Sequence, residues 1–214
     1  MTTFDFSGPA RLIARDLACI RGGRLVFEGL AFDLAHGEAL VLTGANGSGK
    51  SSLLRQIAGL LEIAHGAVSF EGGNPESTIG EQTHYVGHAD ALKPSMSVVE
   101  TLRFWAAYLG GGRNPEAVAR ALDALALAAL ADLPVAYLSA GQRRRLALAR
   151  LLAVPRPLWL LDEPTVALDL ANTGRLLDLM RTHLASGGLI VAATHLDLGL
   201  SPAKTLRLGT EAVA

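Results

Sequence analysis

The chain has 214 residues, half of them apolar, and a formal net charge of -1. This length can bury a full-sized core but is short for two large independent domains, so we expect one domain with subdomains. The near-zero charge provides no bulk attraction to nucleic acid or anionic lipid. It therefore argues against a general DNA-binding protein.

Cys19 is the single cysteine. One cysteine excludes an intrachain disulfide framework and a cysteine-based zinc site, and is typical of a reducing compartment. We expect it to be a half-buried thiol. The N-terminal stretch from Met1 lacks the long apolar segment of a secretory signal. The aliphatic run from Ala121 is interrupted by Asp123, Asp132 and Pro134 and is too short to cross a bilayer. We expect contact with a membrane only through a partner.

The first part of the chain contains short apolar runs of strand length. They are RLIARDL, RLVFEGL, AFDL and EALVLTG, and the last reads as a buried strand that stops at Gly44. Behind the glycine-rich stretch, apolar residues recur at helical spacing from Leu53 to Leu61. The order of strand, glycine loop and helix is the context that a phosphate-binding loop requires.

The glycine-rich stretch GANGSGKSS carries the strongest chemical signal. It satisfies the pattern G-x-x-x-x-G-K-[ST], in which backbone amides and a helix N-terminus hold phosphates. Lys50 neutralises the phosphates and Ser51 binds magnesium in this pattern. The predicted nucleotide-binding residues of the loop are Gly44, Asn46, Gly47, Ser48, Gly49, Lys50, Ser51 and Ser52.

Helices and strands alternate through the rest of the chain. AVSFEGG predicts a strand and turn, HYVGH a buried strand, and SVVETLRFWAAYL a helix that starts at Ser95 or Ser97. A further helix begins with Asn114 as its cap and Pro115 at its first position. We expect a helical insert over residues 89–150. Beyond it, PLWLLDEP and GLIVAATH predict central strands of a parallel sheet, separated by a helix over residues 170–186.

Polar side chains end the two late strands. Asp162 and Glu163 close the first, where Asp162 is suited to magnesium and Glu163 to polarising an attacking water as general base. His195 closes the second strand, and parallel strands would bring it to the same edge. The stretch LSAGQRRR precedes the apolar helical run LALARLLA, so it predicts a second exposed helix N-terminus able to hold phosphate.

These motifs together resemble those of ATP-binding-cassette (ABC) ATPases, because GANGSGKSS, LSAGQRRR, LLDEPTVALD and ATH follow in the usual order. The resemblance covers nearly the whole chain. It implies an α/β fold of P-loop NTPase type, with a RecA-like parallel sheet core, an antiparallel β subdomain and a helical subdomain. We expect a single domain over 1–214, in which 1–88 and 151–214 form the β subdomain and core, and about 89–150 the helical subdomain.

The resemblance also implies a homodimer that sandwiches two ATP molecules and uses Mg2+. In such a dimer Ser139, Gly141 and Gln142 contact the nucleotide held by the other chain's phosphate loop, and Asp169 lies in the loop linking the two sites. Magnesium is then held by Ser51 and Asp162. Nucleic acid is not an expected partner.

Two positions depart from the common cassette pattern. Arg21 stands where an aromatic residue normally stacks on adenine, with Phe27 the nearest later aromatic. A guanidinium can also stack on a base. His88 stands where a glutamine usually touches magnesium and senses the transporter partner, and imidazole is a poor magnesium ligand. We group His88 with Glu163 and His195 as catalytic-site candidates and expect it to act by hydrogen bonding or in coupling.

The stretches RGGR, GHADALKPSMSVVETL, LSAGQRRRLALARLL and PLWLLDEPTVALD resemble one ABC branch in particular, the CcmA family of cytochrome c maturation. This resemblance implies a peripheral ATPase at the cytoplasmic face of the inner membrane. It implies a CcmB-type membrane subunit as partner, together with proteins of CcmC, CcmD and CcmE type. ATP hydrolysis would drive haem export or release of a haem-loaded chaperone.

Three other functions compete with this interpretation. DNA-moving or ribosome-remodelling cassettes carry coiled-coil insertions or paired cassettes, and neither is present. A non-catalytic nucleotide switch is disfavoured because Glu163 and His195 are both in place for hydrolysis. The ATPase subunit of another exporter, such as one for lipoprotein release or drug efflux, stays as the alternative.

Overall fold

The computed structural model describes residues 8–112 and 114–209. Their contacts divide the chain into two compact units. The first comprises Met1–Gly87, Pro157–Pro164 and Met180–Ala214, and the second comprises His88–Arg156 and Thr165–Leu179. The subdomain bounds given above stay a prediction. The expectation about a secretory signal concerns the stretch from Met1, whose first seven residues lie outside the described range.

The first unit contains an antiparallel sheet of three strands in the order β2-β1-β4. The strands are β1 (Arg11–Arg21), β2 (Arg24–Ala35) and β4 (His65–Glu71). Gly22 and Gly23 join β1 to β2 and both have positive φ, as a two-residue hairpin turn requires. The runs RLVFEGL and AFDL form one strand, because pairing with β1 continues through both of them.

The first unit also contains a five-stranded sheet in the order β5-β6-β7-β3-β8, in which all neighbours are parallel. Its strands are β3 (Ala39–Thr43), β5 (Thr83–Val86), β6 (Leu158–Asp162), β7 (Leu189–Ala193) and β8 (Ala203–Arg207). Every residue of β6 and β7 is buried, which confirms the prediction of central parallel strands.

Five α-helices are present among the described residues: α1 (Lys50–Ile57), α2 (Val98–Tyr108), α3 (Pro115–Ala124), α4 (Ala140–Ala153) and α5 (Leu170–Ala185). Ser97 caps α2 in a capping box with Glu100, and Asn114 caps α3 with Pro115 at the first helical position. Both predicted helix starts are therefore confirmed. Within the described ranges, no helix is both long and apolar enough to span a bilayer.

The core of the first unit lies between its sheets and α1. Leu12, Leu17 and Leu34 of the antiparallel sheet and Leu53 and Leu54 of α1 are fully buried in one cluster. The first part of the apolar spacing that predicted α1 is the spacing of its buried face. The helix ends at Ile57, however, and Leu60 is 64% exposed, so the expected continuation to Leu61 is wrong. This packing fixes α1 at the carboxyl end of β3.

A stacked pair of rings joins β6 to α5. The His183 imidazole of α5 stacks on the Trp159 ring of β6, with centroids 3.9 Å apart and planes inclined by 10°. His183 Nε2 lies 3.2 Å from the Pro157 carbonyl oxygen. Burial lowers the pKa of His183 from 6.5 to about 4, because desolvation disfavours the imidazolium. The folded chain therefore holds His183 neutral.

This shift predicts a pH-dependent stability. Between pH 6.5 and pH 4 the unfolded chain binds a proton that the folded chain does not, so the free energy of unfolding falls as the pH falls. The full loss is roughly 3 kcal/mol at 1.36 kcal/mol per pKa unit. Urea unfolding of the protein and of His183→Phe, measured across this window, should give a smaller pH slope for the variant. The exposed His65→Gln serves as control, and equal slopes for all three proteins would contradict the assignment.

Candidate functional site

The phosphate loop runs from Gly44 to Gly49 between β3 and α1. Gly44, Gly47 and Gly49 have φ values of 135°, 81° and 100°, in the left-handed region that favours glycine. A Cβ at Gly44 would collide with the carbonyl oxygen of Leu208. The glycines are therefore needed for two reasons. They adopt the positive φ values of the loop, and at Gly44 the lack of a Cβ lets the backbone of Leu208 pack closely.

The hairpin between β1 and β2 lies directly against this loop. A Cβ at Gly49 would come within 2.7 Å of Val26 Cγ1 and 2.9 Å of Phe27 Cδ1. Cys19 of β1 is fully buried, not half-buried as expected, and its thiol forms a hydrogen bond with Ser52 of α1. Burial raises the pKa of the Cys19 thiol, and the Ser52 contact opposes this rise. These contacts seat the antiparallel sheet against the start of α1.

The N-terminus of α1 is open to an anion. Gly49 is its cap residue and provides no side-chain hydrogen bond, so the first helical amides are not capped by that residue. Lys50 is 8% exposed, and its Nζ donates to the carbonyl oxygens of Gly44 at 2.7 Å and Ala45 at 3.1 Å. The ammonium is therefore held inside the curve of the loop. A helix N-terminus without a side-chain cap, next to a buried cation, is an arrangement suited to a phosphate.

The sheet brings the predicted strand-end residues to one edge. The Glu163 amide donates to the Ala193 carbonyl at 2.8 Å, and the Thr194 amide donates to the Leu42 carbonyl at 3.3 Å. These bonds extend the pairing of β6, β7 and β3 past their last residues. Asp162, which is 3% exposed, and Glu163 thus emerge beside the phosphate loop.

His195 joins two of these elements. Its Nε2 lies 3.5 Å from Glu163 Oε1 and 3.2 Å from Asn46 Oδ1 of the phosphate loop. With a proton on Nε2, the imidazole donates toward both oxygens. Glu163 has φ of 47°, a strained conformation for a non-glycine residue that costs about 1 kcal/mol. The sequence predicted these three residues but gave no signal of the strained backbone.

The second unit holds the other predicted nucleotide contacts. Ser139 caps α4 in a capping box, accepting from the Gln142 amide at 3.2 Å while its own amide donates to Gln142 Oε1 at 2.7 Å. A Cβ at Gly141 would lie 2.7 Å from the Ala167 carbonyl oxygen. Asp169 caps the start of α5 by accepting from Asn172. The predicted exposed helix N-terminus is confirmed, and the nucleotide contacts of these residues stay predictions.

The two departures from the cassette pattern are both exposed. Arg21 lies at the tip of the β1–β2 hairpin, beside the turn at Gly22 and Gly23. His88 lies at the start of the second unit, two residues beyond the end of β5. Neither side chain is buried, so both are accessible to a ligand or a partner.

Comparison with known proteins identifies the family. Residues 27–166 match the ABC transporter family model. The chain is 57% identical to the cytochrome c biogenesis ATP-binding export protein CcmA of Rhodopseudomonas palustris, over 94% of this chain and 99% of that protein. It is 56% identical to the protein of the same name from Nitrobacter winogradskyi, over 93% and 98% of the two chains. The chain belongs to the CcmA family of ABC ATPases.

A solved structure supports the fold of this CcmA-family chain. An ABC transporter ATP-binding protein from Pyrococcus furiosus aligns with a TM-score of 0.80 at 24% identity, over 92% of this chain and 97% of that one. The P-loop cassette fold predicted from the sequence is thereby confirmed. Family and fold together identify the chain as a nucleotide-binding ATPase.

The geometry of Lys50 generates a prediction about this binding. Lys50→Ala removes the buried cation of the phosphate loop. Loss of a charge-assisted hydrogen bond between Lys50 and a phosphate oxygen should lower the ATP affinity roughly 100-fold. Isothermal titration of purified protein with ATP measures the change. The exposed Lys93→Ala keeps the loop intact and should bind as the wild type does. Equal affinity for Lys50→Ala and the wild type would contradict the phosphate-loop assignment.

Proposed function

We propose that this chain is the energy-coupling ATPase of a membrane ABC complex in c-type cytochrome biogenesis, driving haem export or release of a haem-loaded chaperone. The observation that carries the proposal is the placement of Glu163 and His195 at the sheet edge, bridged to Asn46 of the phosphate loop. A chain that only binds nucleotide has no need of a carboxylate beside the phosphates. Membership of the CcmA family supplies the biological setting.

Phosphate binding, proton acceptance and positioning are assigned to different residues at this edge of the sheet. Lys50 and the amides of α1 bind the phosphates and orient the terminal one toward the strand ends. Glu163 accepts the proton of the attacking water as general base. His195 holds the carboxylate in place from one side and contacts Asn46 on the other, so it positions base and phosphate loop together.

The donor set fits magnesium. Mg2+ prefers oxygen ligands and usually keeps several waters, binding through one or two protein groups and substrate phosphates. Ser51, the second residue of α1, and the buried Asp162 would supply a hydroxyl and a carboxylate. In the described residues no cluster of three His, Cys, Asp or Glu could hold a metal ion by itself. When bound, Mg2+ neutralises charge on the phosphate oxygens.

The catalytic assembly is proposed to be a homodimer with two ATP molecules between the chains. The start of α4 is exposed, and Ser139 and Gly141 lie at its N-terminal end. The Ser139 hydroxyl proton and the first amides of α4 can bind the phosphate held by the other chain. Gln142 and Asp169 complete this contact in the proposal.

The membrane partner is proposed to be a CcmB-type subunit, with CcmC, CcmD and CcmE types in the same system. The chain would then lie peripherally at the cytoplasmic face of the inner membrane, held there by its partner. Deleting the gene should abolish c-type cytochromes, seen by haem staining, while lipoprotein sorting and drug resistance stay normal. Normal cytochrome levels in the deletion strain would contradict the proposal.

Glu163→Gln tests the proposed base. The amide cannot accept the proton from water, so ATP hydrolysis should fall by roughly 100-fold or more while ATP binding persists. The variant should accumulate as an ATP-bound dimer in size-exclusion chromatography. Glu28→Gln, an exposed substitution of the same kind, is the control. If Glu163→Gln hydrolyses ATP at the wild-type rate, Glu163 is not the base.

His88→Ala tests coupling to the partner. His88 is exposed at the beginning of the second unit, so its loss should leave the ATPase rate of the purified chain within about tenfold of wild type, well short of the 100-fold loss expected for a general base. The yield of c-type cytochromes in cells should fall sharply. His88→Gln restores the residue common in cassettes and should retain the yield. A normal yield with His88→Ala would eliminate the coupling role, and an inactive purified enzyme would place His88 in the catalytic centre.

A further inference from the structure

The loop that follows His88 carries an acidic residue bonded to α4, the helix that Ser139 caps. Asp90 Oδ1 accepts a hydrogen bond from Arg144 Nη1 at 3.2 Å, across 54 positions of the sequence. The Arg144 side chain is 4% exposed and that of Asp90 is 25% exposed. A guanidinium buried to this degree needs a compensating charge, and Asp90 supplies one.

A second attachment ties the same loop to the segment that precedes Ser139. The amides of Val135 and Ala136 donate to the carbonyls of Met96 and Pro94 at 2.9 and 3.1 Å. The first amides of α2 bond in turn to residues 131 and 133. The chain on both sides of Ser139 is therefore attached to residues 88–99, by backbone bonds before it and by an ion pair after it.

The ion pair differs from another ion pair of the second unit, Glu116–Arg120. Glu116 and Arg120 are spaced one helical turn apart and are 83% and 56% exposed at 3.5 Å, an arrangement worth little. Asp90 and Arg144 join a loop to a helix across a buried contact. Such a pair is weak evidence for stability alone, because the desolvation of the Arg144 guanidinium opposes its attraction to Asp90. Its geometric effect is to fix α4 relative to the loop.

We propose that Asp90 is a positioning residue of the ATPase: through Arg144 it fixes the N-terminal end of α4, with Ser139 and Gly141, relative to the loop that begins at His88. This rests on the proposed function, in which the start of α4 contacts the nucleotide of a second chain. Loop and helix start then move as one body. A change at His88 reaches Ser139 without passing through the phosphate loop.

The test compares Asp90→Ala, Asp90→Asn and the matched control Glu116→Ala. The kcat and KM for ATP are measured on the purified full chain, together with ADP affinity and circular dichroism. Asp90→Ala should lose roughly 10- to 100-fold in kcat, the scale expected for a misplaced contact group. ADP affinity should stay within about twofold, since the phosphate loop belongs to the other unit.

Asp90→Asn keeps an oxygen acceptor for Arg144 and should lose less activity than Asp90→Ala, whereas Glu116→Ala should match the wild type. The positioning role would be overturned if Asp90→Ala had a lowered melting temperature but a wild-type kcat. If the alanine variant does not fold, the same pair of results for Asp90→Asn would overturn it. Loss of ADP binding in parallel with kcat would do the same. A wild-type chain without ATPase activity would instead contradict the proposed function.

Discussion

The parallel alignment of β6, β7 and β3 is the constraint that brings Asp162, Glu163 and His195 to one edge of the sheet. Because the three strands are neighbours and run the same way, everything that follows them leaves the sheet at one edge. The amides of Glu163 and Thr194 continue the strand pairing beyond the last strand residues. These bonds fix the backbone position from which each polar side chain extends. A slip of one residue in this register would turn the carboxylates to the opposite faces of the sheet.

The phosphate loop adds a second constraint, because its components are organised by the fold before any ligand arrives. The ammonium of Lys50 is held by the carbonyls of Gly44 and Ala45, so the cost of ordering this long side chain is met by folding rather than by binding. Phe27 and Val26 lie against Gly49 and leave no room for a side chain there. Packing of the antiparallel sheet against Gly49 thus restricts the conformation of the loop.

Much of this arrangement could be predicted from the sequence, because local signals and fold constraints agreed. The order of strand, glycine loop and helix, and the caps at Ser97 and Asn114, depend on residues close in the chain. Strand β8 was not predicted, since AKTLR is largely exposed and lacks an apolar run. The bond between Asp90 and Arg144 was not predicted either, because a pairing across 54 positions depends on how helices and loops pack and leaves no spacing pattern.

The capping box of α4 limits what the second unit can offer a nucleotide. The Gln142 oxygen is engaged by the Ser139 amide, and the Ser139 oxygen accepts from the Gln142 amide. Each of these oxygens therefore accepts one hydrogen bond within its own helix turn. The groups that this turn can offer an anion are donors: the Ser139 hydroxyl proton, the Gln142 side-chain amide hydrogens and the first backbone amides of α4. A phosphate with all its oxygens ionised presents only acceptors, so these donors are the groups through which the start of α4 would bind it in the proposed dimer.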